Sequence, residues 1–145
     1  LFDLPAVAAT ARRRFAAAGV AATAHGGSFL DDALPAGADL VTLVRVVHDH
    51  DDESVLTLLR AVRRAIAPDG TLLLAEPMAG TRGAEPIGSA YFGFYLWAMG
   101  SGRARTPDEL RGLLARAGFG APRERATHRP LLVRLMEVRP AEGTL

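Results

Sequence analysis

The sequence contains no cysteine, which excludes disulfide staples and thiolate chemistry and fits a cytoplasmic protein. It has no surplus of charge either: 17 basic against 16 acidic residues leave a formal net charge of +1. Nothing in that balance favours nucleic acid or an anionic membrane surface as a partner. No apolar run approaches the length needed to cross a bilayer. Apart from an enrichment in alanine, there are no repeats or low-complexity tracts. The chain opens at Leu1, not at Met, and its opening residues do not read as a signal peptide. Leu1-Phe2-Asp3 already reads as the tail of a strand, so the expectation is the carboxyl-terminal piece of a longer protein.

What is present suffices for one domain: 145 residues, 49% of them hydrophobic. The bias towards Ala, Arg and Gly has the look of a GC-rich bacterial coding sequence. Arg12-Arg13-Arg14, on an alanine-rich helix, reads as a solvated face.

The chain is organised around Asp39–Glu53, DLVTLVRVVHDHDDE. Its first part is apolar and β-branched, the pattern of a strand buried on both faces and running through Val46-Val47. It stops at His48-Asp49-His50-Asp51-Asp52. A helix follows, with Val55, Leu58, Leu59, Val62 and Ile66 at helical spacing and Asp51 or Asp52 placed as its cap. Ionisable groups at such a handover lie on the carboxyl edge of an α/β sheet, where these folds bind ligands. The bland alternative is an acidic cap with surface histidines.

In chain order, Leu1–Asp3 ends a strand and Pro5 opens a helix that runs to about Ala18 and closes at Gly19. Val20–His25 is a weak strand candidate, followed by a turn at Gly26–Phe29. Pro68-Asp69-Gly70 is a turn launching Thr71–Ala75, an apolar strand ending in Glu76-Pro77. Ile87–Gly100 holds Tyr91, Phe92, Phe94, Tyr95, Trp97 and Met99, which suggests a buried helix or a pocket wall, with plain core packing as the alternative. Thr106-Pro107-Asp108-Glu109 has the form of a capping box. Leu110, Leu113 and Leu114 form that helix's buried stripe. Pro122–Thr127 and Leu131–Val138 read as an antiparallel hairpin, and residues 140–145 as a loose tail after a unit spanning 1–139. The order predicts an α/β fold with a mostly parallel sheet.

Polar residues stand at the strand ends: Asp3, Ser28, His48 and Glu76. His48 has the chemistry of a general base near neutral pH. Glu76 would orient its ring, as the acid of a catalytic triad does. A metal held by His48, Asp49, His50 and Asp51 is disfavoured, because alternate side chains of an extended segment point to opposite faces.

At these residues the sequence resembles the catalytic domain of the plant caffeate-type and bacterial small-molecule O-methyltransferases. The segments that carry the resemblance are Phe2-Asp3-Leu4-Pro5, Gly26-Gly27-Ser28-Phe29, Val46-Val47-His48-Asp49 with Asp51-Asp52-Glu53, Leu74-Ala75-Glu76, and Arg105-Thr106 through Phe119. Tyr91–Tyr95 and Ala98–Arg103 look closest to the purple-bacterial branch that methylates hydroxylated carotenoids of the demethylspheroidene and hydroxyneurosporene type.

The resemblance implies a Rossmann-like class I methyltransferase fold and S-adenosylmethionine as cofactor. Asp3 would bind its ribose, Ser28 and Phe29 would flank its adenine, and Arg45 would lie near it. His48 would be the base and Glu76 its partner. Asp49, Tyr91, Phe94, Tyr95 and Met99 would line the pocket of a hydrophobic substrate; a phenolic or polyketide acceptor and a non-catalytic binding role are the competing readings. The sequence departs from the family pattern at Ser28, Val44 and Ala104, where many relatives carry an acidic residue, a basic residue and a second glutamate. The resemblance also implies that the first, central strand and a dimer-forming helical domain lie upstream of Leu1. The piece alone is then expected to bind cofactor poorly and to be unstable, and the whole protein to be a cytoplasmic homodimer with peripheral contact to the membrane that holds its substrate.

Overall fold

The computed structural model describes residues 1–84, 92–128 and 133–143. The elements are β1 (Phe2–Asp3), α1 (Pro5–Ala17), β2 (His25–Gly26), β3 (Ala38–Val44), a 3-10 turn (Val47–Asp49) and α2 (Asp52–Ala65). They continue with β4 (Ile66–Glu76), α3 (Phe92–Met99), α4 (Pro107–Arg116), β5 (Arg123–Arg125) and β6 (Arg134–Val138). Helix punctuation follows the local chemistry. Asp51 caps α2 by accepting the Ser54 N–H at 2.8 Å, and Thr106 and Glu109 close a reciprocal capping box on α4. Gly19 and Gly118 supply the positive φ (63° and 87°) that ends α1 and α4.

The strands form two sheets. β1 and β2 pair in parallel, and the larger sheet has the order β3-β4-β6-β5. Within it β3 and β4 are parallel, with Val44 opposite Ala75, while β4, β6 and β5 are antiparallel to one another. The parallel pairing and the carboxyl-terminal antiparallel hairpin are both as expected, and β6 also joins β4 in antiparallel fashion. The Pro68-Asp69-Gly70 turn lies within β4, where the register slips between Ala38 and Leu40.

One face of the larger sheet carries the core. Val55, Leu59 and Val62 of α2 and Leu114 of α4 are fully buried with Leu72 and Leu74 of β4 and Met136 of β6. Each such side chain contributes about 1.5–3 kcal/mol. The other face of β3 is open: Leu40 is 54% and Val44 57% exposed. The expectation of a strand buried on both faces is thus corrected. Among the described residues, nothing pairs with the far edge of β3. β3 is also shorter than expected, since Arg45 adopts φ 54° and turns the chain before Val46.

One further expectation changes: of the weak strand at Val20–His25 only His25 is in regular structure. Pro140 bridges to Phe119, and the Ala141 N–H donates to the Gly118 carbonyl at 3.0 Å. Among the described residues no helix is long and apolar enough to cross a membrane.

Candidate active site

The parallel pairing of β3 with β4 sets the site. It places the end of β4, at Glu76, beside the point where the chain leaves β3. The Arg45 N–H still donates to the Ala75 carbonyl at 2.9 Å, so the ladder runs to its last rung before the backbone reverses. That reversal presents the Val46 and Val47 N–H groups to Glu76 Oε1, at 2.9 and 2.8 Å. His48 follows on the 3-10 turn, and its Nδ1 lies 2.8 Å from Glu76 Oε2.

Both residues are buried, His48 with 4% and Glu76 with 2% of its surface exposed. A carboxylate so placed is tolerated only when its oxygens are saturated, and here each of them is engaged. An ionised carboxylate can only accept, so with Glu76 ionised the proton of this contact belongs to Nδ1, and Nε2 is the nitrogen left with a lone pair. Nε2 lies 3.2 Å from Asp49 Oδ1, an ion-pair distance once the ring is charged. That oxygen is buried and accepts no hydrogen bond among the described residues. The arrangement is an oriented imidazole whose second nitrogen can take up a proton, with a carboxylate on either side to stabilise the resulting charge.

The other expected residues are distributed as follows. Asp3 stands at the end of β1, and its Oδ1 accepts the Leu4 N–H at 2.7 Å. Ser28 lies in the turn after β2; its N–H donates to Asp32 Oδ2 at 2.9 Å and its Oγ accepts the Leu30 N–H at 3.2 Å. A carboxylate therefore does stand beside Ser28, supplied four residues later. Phe29 is half-buried and meets the His50 ring edge-on, with centroids 5.0 Å apart. Arg45 is exposed.

On α3, Leu96 is buried, whereas Phe94 is 73% and Trp97 83% exposed. Of the two readings of this segment, a buried helix or a pocket wall, the exposure of Phe94 and Trp97 goes against the first. Tyr91 and the side chains of Tyr95 and Met99 lie outside the described residues. The space beside His48, bounded by Val47, Glu76, Pro77 and Leu110, amounts to about 10 Å³, room for one water at most. The larger cavity, about 440 Å³, lies at the other end of β6 near Gly120 and Pro140, remote from this chemistry.

Sequence reasoning missed the residues that back the turn. Arg105, with its side chain 1% exposed, donates to the Val47 and His50 carbonyls, each at 2.8 Å, and from Nε to Asp52 Oδ1 at 2.8 Å. Arg103 joins Asp52 to Glu109. Burial pushes the Asp52 carboxyl upward, but hydrogen bonds from Arg105 and Arg103 outweigh it and hold the group below the usual range. Asp51 is held low chiefly by the Ser54 N–H.

The O-methyltransferase domain family matches residues 1–120. Demethylspheroidene O-methyltransferase of Rhodobacter capsulatus is 42% identical over 137 residues, covering 94% of this chain and 34% of that protein. The enzyme of the same name from Cereibacter sphaeroides is 47% identical over 121 residues, covering 82% and 32%. Among solved structures, NcsB1 is an O-methyltransferase from neocarzinostatin biosynthesis in complex with S-adenosylmethionine and 2-hydroxy-5-methyl naphthoic acid. It aligns with a TM-score of 0.77 and 34% identity over 96% of this chain and 40% of its own.

The fold is therefore that of the class I methyltransferases, which use S-adenosylmethionine. More narrowly, the chain belongs to the O-methyltransferase domain family. It spans about a third of the length of the curated relatives it matches.

Proposed function

We propose that this chain is the carboxyl-terminal part of an enzyme that methylates a hydroxyl of a hydroxylated carotenoid, with His48 as general base. The observation that carries the chemistry is the buried His48 Nδ1–Glu76 contact of 2.8 Å, with Glu76 itself fixed by the Val46 and Val47 N–H groups. The similarity to the demethylspheroidene enzymes supports the acceptor.

S-adenosylmethionine supplies a methyl group already activated by a positive sulfur. The protein's part is to align the acceptor hydroxyl and take one proton from it. A tertiary alcohol is far less acidic than a phenol, so His48 Nε2 accepts that proton as the new bond forms. The residues present fit one end of the donor. The Asp3 carboxylate at a strand end suits a ribose diol, since a carboxylate accepts paired hydrogen bonds. The half-buried Phe29 suits a flat base, with Ser28 next to it in the chain; Arg45 is proposed to lie near the cofactor as well. Asp49, Tyr91, Phe94, Tyr95 and Met99 are proposed to face the acceptor.

The open edge of β3, with Leu40 and Val44 exposed, and its separation from the β1–β2 pair support a further strand between the two sheets. That strand, the methionine-binding turn and a dimerising helical domain would precede Leu1. The 10 Å³ space beside His48 would then widen into a pocket walled partly by that domain.

The test is methyl transfer by the longer protein from labelled S-adenosylmethionine to hydroxyneurosporene and to a hydroxynaphthoic acid, with His48→Ala alongside. Carotenoid transfer falling by about 10²–10⁴ in the variant is the expected result. Transfer to the naphthoic acid alone would replace the acceptor with a phenol, the second reading, which the NcsB1 ligand favours. Cofactor binding without transfer to any acceptor would leave a non-catalytic binding protein.

A further inference from the structure

We propose that Arg105 is a positioning residue for His48, acting through the backbone of the turn and not through its ion pair with Asp52. The inference rests on the catalytic reading of His48 above.

The turn is a weak structure by itself. Its internal bonds, Asp49 N–H to Val46 carbonyl and His50 N–H to Val47 carbonyl, measure 3.2 and 3.4 Å. Such geometry is poor even for a 3-10 turn. A catalytic imidazole carried on it needs support from outside. On the donor side, Glu76 takes the Val46 and Val47 N–H groups. On the acceptor side, Arg105 Nη1 and Nη2 bind the Val47 and His50 carbonyls, which bracket His48-Asp49. An anion therefore grips the entry of the turn and a cation its exit, with His48 between them.

The rest of the 101–105 segment lies along the same backbone. Ser101 Oγ donates to the Asp49 carbonyl at 3.1 Å. Gly102, at φ 86°, passes so close that a Cβ there would meet the His48 carbonyl oxygen at 2.3 Å. Arg105 is itself fixed, because its own carbonyl accepts the Ala79 N–H at 3.0 Å just beyond β4.

Its burial argues against a purely electrostatic role. Asp52 is 45% exposed, so an arginine kept only to pair with it could remain in water, where such pairs contribute little. A guanidinium with 1% exposure is retained where its planar set of donors meets several fixed acceptors at once. A lysine ammonium, as a compact point charge, does not reproduce that fork.

The test uses the longer protein and three variants: Arg105→Lys, Arg105→Ala and Asp52→Asn. Arg105→Lys is expected to lower kcat by about 10–100-fold, the scale of a misplaced catalytic group, while KM for S-adenosylmethionine changes by less than about three-fold. Added guanidinium should restore part of the activity of Arg105→Ala. The downfield Nδ1–H resonance of His48 should shift or broaden in Arg105→Lys. Asp52→Asn, which keeps both carbonyl contacts, should cost less than a tenth of the Arg105→Lys effect. Wild-type kcat in Arg105→Lys would overturn the proposal, as would an equal loss in Asp52→Asn. A loss of kcat matched by loss of cofactor binding and no guanidinium rescue would make the role merely structural. If the wild-type protein transfers no methyl group, the catalytic reading fails, and the His48 resonance still reports whether Arg105 holds the ring.

Discussion

The regions around β3–β4 and around β1–α1–β2 differ in how completely they are built. At the end of β4, Glu76 uses both carboxylate oxygens, and the turn beside it is held from two sides. The β1 and β2 strands are two residues long, α1 fully buries only Ala8, and Leu1, Leu4, Val7 and Val20 are exposed. The proton-handling half of the proposed reaction is thus self-contained in this chain. The half proposed to hold the cofactor is a set of correctly ended strands without a covered core. A proton-handling pair and the platform proposed for its ligand need not be stabilised by the same contacts, and here they stand on separate sheets.

The comparison is broken most directly at Glu76. Glu76→Ala leaves the Val46 and Val47 N–H groups and His48 Nδ1 without their acceptor. In the longer protein it should reduce kcat by about 10²–10⁴; a smaller loss in steady-state assays would show that the ring is oriented by something else. Next in size is Leu59→Ala, a fully buried α2 position, expected to cost about 2–5 kcal/mol in denaturant unfolding. Thr106→Ala removes the capping-box acceptor of α4 and should cost about 1 kcal/mol by the same method.

Glu109→Gln gives a smaller and pH-dependent effect. The Thr106 N–H, and then Arg103, hold the Glu109 carboxyl below its ordinary value of 4.5. A lowered folded-state value means stabilisation that is complete above 4.5 and is lost as pH falls through the depressed value. The melting-temperature gap between wild type and variant should stay constant at neutral pH and shrink in acid below 4.5; a gap that widens in acid would reverse the assignment. The smallest effect belongs to Val7→Ala, on the exposed face of α1. In this chain it should change stability by no more than about 0.5 kcal/mol, and a larger loss would mean that α1 is better packed than its exposure suggests.

Much of this was legible in the residues. Asp51 as a cap, the Val55–Val62 stripe and the Thr106–Glu109 box are local patterns, and local hydrogen bonds decide them. The contact between His48 and Glu76 follows from the strand pattern, because parallel strands bring their carboxyl ends together. The premature end of β3 was not legible, because an arginine at positive φ leaves no trace in hydrophobic periodicity. Nor was the exposure of Leu40, Val44, Phe94 and Trp97, since an apolar residue records what a position can bury and not what lies against it here. Arg105 escaped notice for a different reason. Its decisive acceptor, the Val47 carbonyl, is 58 residues away, and a loop arginine looks solvated until the fold surrounds it.

Arg45 carries a consequence for protein engineering. A left-handed backbone at a residue with a side chain costs about 1–3 kcal/mol, and φ 54° at Arg45 is what swings the Val46 and Val47 N–H groups onto Glu76. Glycine would relax that strain and also let the segment sample other directions. Arg45→Gly therefore sets heat tolerance against turnover at a single codon: selection for thermostability would favour it, and selection for turnover would remove it.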